Sequence, residues 1–595
     1  MPCPPALWRF SRTLVLGRAR LATGVLREAW SAQGRREQVA VQTEGWAADG
    51  TRVPAPAWIE ASLKLKEGRD PLGLQTTTQD RLMPVLLPGI LELTRRARYF
   101  SFHAFLLAEY RDRHLAADGN ALSAFIKRRE WEFGLAVLRC PRGCGSSPVG
   151  ARRLSGLARG PGPYERGESV ASAFGGYGLY YRSPMAEFGI VARAGTLLGG
   201  RPIPIDVLHD TDRARRPASA FKSAVEHTAY YQRVMWTTDD LPADVIDEYA
   251  HAACLCRLRE LPEERAAVHA ALFCTDAPTV EARSPGADEN SALQGVGDGP
   301  EAIGEVFAEA GVRQRCLSVG HYLSLLDADP SVVASETAYR DGLWSPPVPR
   351  GDAHAVVAGQ WAALIAKDVW QEALCSVWVE FCRAGLIRTG ELGRGLTWDE
   401  VRGVAAGLAT GQPDLHPTSS TTAVAAQLAA GTLAVPDADG ILVDVATAPL
   451  DDLRRLTSQL DTASSGLVVL LELVRRMEGR AGDGWQKAAA IRSGWQPSIA
   501  DVTAALRTHL AGSPTVADTL WWLVSRFVIP VHERIAYSKL PERTFRFRWE
   551  DGLLHFYDHG VERFPLAAVR NAPLASLTWD LDCGVRPTTI DVRQR

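Results

Sequence analysis

Apolar side chains recur at helical spacing along residues 359–387, GQWAALIAKDVWQEALCSVWVEFCRAGLI, and again at 421–431, 463–478, 498–511 and 514–530. The second half of the chain is therefore predicted to be an array of helices, without a clean repeat period. Two further helices are predicted at 90–113 and 120–139. The first contains RRARYFSFHAFLLAEYRDR, in which apolar residues between Tyr99 and Leu107 occupy most of the helix circumference. Only a narrow strip at Ser101, Ala104 and Ala108 is left for solvent, so this helix belongs in the core.

Elsewhere the pattern changes. Glycine and proline are frequent from 145 to 185, which marks loops and turns. A short helix ending near Gly189, two β-like runs around Gly199 and Gly200, and the helical stretch ASAFKSAVEHTAYYQRVMW follow in that order. This helix, hairpin, helix succession over about 168–236 resembles part of a winged helix. Near the end, TFRFRWEDGLLHFY alternates strictly, with Phe545, Phe547 and Trp549 on one face and Arg546 and Arg548 on the other. Asp551-Gly552 supplies a hairpin turn. The fold class expected is mainly α: a multidomain helical array with a winged-helix-like segment and a small C-terminal β module.

Length and charge refine the domain picture. The 595 residues exceed one typical domain several times over. Residues 276–309 hold 8 acidic residues against 1 basic, with many Gly and Pro, so 275–302 reads as a flexible acidic linker. The units expected are an arginine-rich extension at 1–40, which an over-long gene start would also explain, an N-terminal helical domain at 41–274, a C-terminal helical domain at 303–540, and the β module at 541–595. With 46% hydrophobic and 23% charged residues and 17 tryptophans, wholesale disorder is excluded. No apolar run approaches the roughly 20 residues of a membrane span, and the N-terminus lacks the apolar core and cleavage site of a secretory signal. A cytoplasmic protein without a membrane partner is expected. Ten cysteines in no regular framework fit reduced thiols, and Cys375 and Cys382 share a helix face as small hydrophobes.

Much of the chemical reading is negative. There is no Gly-Lys pair for a phosphate-cradling loop, no H-E-x-x-H, no G-x-S-x-G and no complete G-x-G-x-x-G. Cys140 and Cys144 in LRCPRGCGSS have the spacing of half a structural zinc site. His251, Cys254 and Cys256 in HAACLCRL are the candidate second half, but on a continuous helix residues two apart point in different directions, so buried thiols are the preferred reading. No cofactor is expected, with zinc as the alternative. His555, Asp558 and His559 in HFYDHG are candidate metal ligands or an acid/base group, weighed against ordinary turn residues. His532 and Glu533 read as a polar helix face.

The net charge of −3 conceals a local excess, since residues 95–159 hold 13 Arg and Lys against 5 Asp and Glu. Arg95, Arg96 and Arg98 precede one aromatic run, and Lys127, Arg128 and Arg129 precede another. These six are candidate nucleic-acid or anion ligands, but an unpaired buried guanidinium is costly, and pairing with carboxylates is preferred. Arginine is also abundant throughout the chain, as a G+C-rich coding bias would make it.

The string RDPLGLQTTTQDRLMPVLLPGILELTRRARYFSFHAFLLAEY at 69–110, followed by FIKRREWEFGLAVL, resembles the N-terminal part of an uncharacterised group of bacterial proteins. That resemblance implies a genomic context in defence or mobile-element loci, and it transfers no catalytic residue. The function expected is a non-catalytic subunit of a bacterial multi-component system, contacting nucleic acid or a protein partner encoded nearby through the basic N-terminal helices. The alternatives are a metal-dependent hydrolase or nuclease and a helical protein-interaction scaffold.

Overall fold

The computed structural model describes residues 70–273 and 300–583, except 199, 238–239, 348–350, 410–414, 438, 493–496, 541–543, 559–565 and 567, together with 45–46 and 52–53. The extension at 1–40 and the linker as far as residue 299 lie outside the described residues. Contacts divide the chain into two compact units, Met1–Lys66 and Glu67–Arg595. In the first, the described residues form an antiparallel pair of short strands, Gly45–Trp46 with Arg52–Val53. Everything below concerns the second, whose described residues are mainly helical and contain no helix long and apolar enough to cross a membrane.

Helix α1, Arg98–Asp112, is enclosed on nearly every side. The strip expected at Ser101, Ala104 and Ala108 is covered as well, with Ser101 and Ala104 fully buried. Its rings pack into neighbours from three directions: Tyr99 stacks on Tyr181 at 4.9 Å, Phe102 on Phe133 at 4.1 Å, and Phe105 tilts against Phe221 at 5.3 Å. The helix starts at Arg98 and not at 90. Thr94 Oγ1 is drawn to the Tyr180 carbonyl, and the Asp580 carboxylate accepts the Ala97 N–H at 3.0 Å. A carboxylate from the far end of the chain thus supplies the anion that a helix start favours.

Helix α2, Gly119–Leu138, is capped by Asp118, whose side chain accepts the N–H groups of Asn120 and Ala121. Helix α3, Ala151–Leu157, lies against it at Gly134, where an added Cβ would come within 2.5 Å of Leu154. In 168–236 the described elements are a helical stretch from Tyr177 to Glu187, strands Val191–Ala192 and Val207–Leu208, a tight hairpin at Leu197–Leu198 and Arg201–Pro202, helix α4, Asp212–Val225, and a short helical stretch, Tyr230–Val234. Helix α5, Ala243–Ala253, and helix α6, Pro262–Phe273, complete this part.

Helix α7, Pro300–Ala328, packs back onto it: Arg315 donates to the carbonyls of Leu272 and Pro88, and Ser318 to that of Leu86. Elements before and after 275–302 therefore share one interior. Helix α8, Asp352–Leu392, is 41 residues long, on the order of 60 Å, and buries apolar residues around its whole circumference. Helix α9, Ala463–Met477, reaches it at Gly466, where a Cβ would sit 2.4 Å from the Ala373 carbonyl. Helix α10, Ile529–Ser538, leads into the predicted hairpin, Phe547–Glu550 with Leu553–Phe556, turning at Asp551 and Gly552 with φ of 50° and 78°. The hairpin seats Phe556 against Gly385 of α8. The chain then forms helix α11, Asn571–Asp580, inside the stretch read from sequence as β.

The segment DPLGLQTTT, from Asp70 to Thr78, runs through this interior as a tie. Asp70 accepts the N–H groups of Leu74 and Gln75, both at 2.9 Å. Thr78 contacts both Lys367 (2.6 Å) and Asp368 (3.3 Å) of α8, and Asp368 in turn holds Arg340 at 2.9 Å. His532 is buried, which corrects the reading of a polar helix face. Its Nδ1 donates to the Pro71 carbonyl at 3.0 Å while its Nε2 accepts the Arg546 N–H at 2.9 Å, and burial holds its pKa down at about 3. Glu533 accepts the Trp549 N–H at 2.9 Å.

Candidate metal centre

Two chain breaks bring four cysteines together. Helix α2 stops at Leu138, and the chain turns through Cys140-Pro-Arg-Gly-Cys144. The Gly143 N–H bonds the Cys140 carbonyl at 3.0 Å, with Gly143 and Gly145 at φ of 56° and 67°. Ser146 N–H points back to Cys144 Sγ at 3.4 Å. The second break is at the end of α5. Cys254 leaves the helix at φ −54°, ψ 141°, and a 3-10 turn, Leu255–Glu260, follows. The helical register that would point the sulfurs of Cys254 and Cys256 apart ends before it reaches them, and their Sγ atoms lie 3.5 Å apart.

Cys140 Sγ is 3.8 Å from Cys256 Sγ, and Cys144 Sγ is 3.6 Å from Cys254 Sγ. All four sulfurs lie within 4.8 Å of one another. Sulfurs at the corners of a zinc tetrahedron with bonds of about 2.3 Å stand roughly 3.8 Å apart, so the cluster has the dimensions of a single-ion site. These contacts are far longer than a disulfide bond, and the thiols are free. The preference for separate buried thiols is thereby corrected: only Cys254 is fully buried, Cys144 is exposed, and all four converge. His251, expected beside Cys254 and Cys256, is exposed and outside the group.

The exposed Cys144 thiol is held well below its ordinary range by S–H donation from Cys254 and Cys256, and those two are pushed up in return. Arg142 and Arg257 both pair with Glu260 beside the cluster.

The remaining candidates are dispersed. His555 is half-buried against Gly395, Asp558 is exposed, and His559 lies outside the described residues. Among the described residues no second group of three or more metal-ligand side chains converges. Of the six basic candidates, five are paired with carboxylates. Arg95 meets Glu92 at 3.0 Å on the surface, and Lys127 meets Glu168 at 3.1 Å. Arg96 forks onto Asp580 at 2.9 and 3.0 Å. Arg98 is fully buried against Glu264, and Arg129 is buried against Glu132 at 2.9 Å. Arg128 is half-buried, with no ion pair among the described residues. Asp580 and Glu264 were not marked as partners by any feature of the sequence, because they lie 484 and 166 positions from the arginines they hold.

A second buried polar pair lies between α1 and α2. His103 Nε2 is 3.5 Å from Glu130 Oε1, and both side chains are 1% exposed. Burial raises the Glu130 pKa to about 8 and lowers that of His103 to about 3, so near neutrality the contact is between uncharged groups and is not an ion pair. Glu130 also accepts the N–H groups of Gly176, at 2.7 Å, and Tyr177.

Set against family models, curated proteins and solved structures, the chain finds no match.

Proposed function

We propose that this chain is a non-catalytic helical scaffold subunit, with its N-terminal part pinned by a structural zinc ion at Cys140, Cys144, Cys254 and Cys256. The observation that carries the reading is the four-sulfur cluster, which joins the end of α2 to the end of α5 across more than a hundred residues. Four thiolates complete a tetrahedral sphere and leave no position for a water or substrate, which is the chemistry of a structural site and not of a hydrolytic one. Resemblance of the 69–110 segment to bacterial proteins of defence or mobile-element context supports a subunit role.

The reading is tested by metal analysis of the purified chain, where one zinc per molecule is expected. Cys144→Ser, at the exposed ligand, should lose it, and chelation should lower the melting temperature of the wild type while leaving that of the variant unchanged. A chain with no bound metal and four freely titrating thiols overturns the proposal.

A nucleic-acid contact has narrower support than the charge count suggested. Residues 139–160 contain no acidic residue. Arg152, Arg153 and Arg159 within them are exposed, without an ion pair among the described residues. Within this stretch these three, rather than the paired Arg95, Arg96, Arg98, Lys127 and Arg129, are basic groups available to a phosphate backbone.

A further inference from the structure

We infer that Arg98 is the positioning residue of the zinc centre, acting on the main chain that carries Cys254. The inference rests on the zinc reading above and extends it to a residue nowhere near the cysteines in sequence. Arg98 is fully buried at the start of α1. One edge of its guanidinium is fixed by Glu264, with Nε and Nη2 donating to the carboxylate at 3.0 and 2.9 Å. Ser101 Oγ fixes that carboxylate in turn, at 2.6 Å. The other edge faces the end of α5, where Nη1 donates to the Ala252 carbonyl at 2.8 Å and to the Cys254 carbonyl at 2.6 Å.

The Ala252 carbonyl is one that the helix leaves without a backbone partner when it stops, while the Cys254 carbonyl accepts the Arg257 N–H at 2.9 Å as well as the guanidinium. An uninterrupted helix would bond the Ala252 carbonyl to the N–H of Cys256, and that bond would place the two sulfurs on different sides. By taking both carbonyls, Arg98 stabilises the break that lets Cys254 and Cys256 converge, and it places a cation at a helix C-terminus, where the dipole favours one. Cys254 is in contact with the sulfurs of both Cys144 and Cys256. Outer-shell groups that orient metal ligands typically change affinity by about 10–100-fold when altered. A lysine keeps the charge but has no planar fork to reach Glu264 and two carbonyls at once.

The experiment is zinc release to an excess of chelator from the full chain, followed below the melting temperature, with absorption spectra of the cobalt-substituted protein alongside. Arg98→Lys is expected to release zinc about 10–100-fold faster than wild type and to shift the thiolate-to-cobalt bands. Glu264→Gln, which keeps Arg98 but loosens its fork, provides a second variant and should also release faster, by a smaller factor. Arg96→Lys is the control: it loosens the neighbouring Asp580 pair, touches no ligand segment, and should release at the wild-type rate. Wild-type release and spectra in either Arg98→Lys or Glu264→Gln overturn the role of Arg98, as does equal acceleration in Arg96→Lys. Absence of zinc from the wild type overturns the metal reading itself, and with it this inference.

Discussion

Replacing Glu130 with glutamine should change how stability depends on pH, with a sign that follows from burial. Folded Glu130 titrates at about 8, against an ordinary 4.5, because desolvation outweighs the two backbone N–H bonds it accepts. Between those values the folded chain holds one proton more than the unfolded chain, so stability falls as pH rises. His103 acts in the opposite direction: folded it titrates at about 3 against an ordinary 6.5, so across that interval the unfolded chain holds the extra proton and stability rises with pH. From 4.5 to 6.5 the two slopes cancel. Above 6.5 only Glu130 still acts, and 1.5 pH units at about 1.4 kcal/mol per unit is a loss of roughly 2 kcal/mol by pH 8. The assay is urea unfolding at intervals from pH 5 to pH 9 for wild type and Glu130→Gln. The amide leaves one N–H of Gly176 or Tyr177 poorly matched, which by itself offsets the variant to lower stability. The offset does not vary with pH. The quantity that decides is the difference between the two curves, which removes the other titrating groups: it should shrink by about 2 kcal/mol between pH 6.5 and 8. A difference that stays constant over that window, or grows, refutes the argument that Glu130 is held neutral in the folded chain.

Two further outcomes are expected. Phe102→Ala, which removes a fully enclosed ring stacked on Phe133, should cost about 3–5 kcal/mol in urea unfolding, whereas Arg95→Ala, at an exposed pair with Glu92, should stay within about 0.5 kcal/mol. If the chain binds nucleic acid, the triple change of Arg152, Arg153 and Arg159 to alanine should flatten the slope of log affinity against log salt by about 2–3 in a mobility-shift titration, since each phosphate contact contributes roughly 0.9; an unchanged slope removes these residues from the interface.

The patterns legible in the sequence are those that describe an element's own surroundings. The apolar circumference of Tyr99–Leu107 marked α1 as enclosed, the alternation and Asp551-Gly552 marked the hairpin, and the Cys140–Cys144 spacing marked half of the four-cysteine cluster. The second half, Cys254 and Cys256, is nameable from sequence but disfavoured there, because Cys254-Leu-Cys256 is shorter than usual ligand spacings and follows a helical stretch without a break signal. The helix ends where it does because a guanidinium from α1 accommodates its last carbonyls, and one sequence segment read alone contains no trace of that. The same holds for the start of α1, set by Asp580, and for His532, read as a surface residue but placed between Pro71 and Arg546. Side-chain periodicity is a local consequence of which face meets water, and the sequence by itself determined that much. Which carboxylate meets which arginine, and which two pairs of sulfurs converge, depends on how helices far apart in sequence dock, and only the tertiary structure decided it.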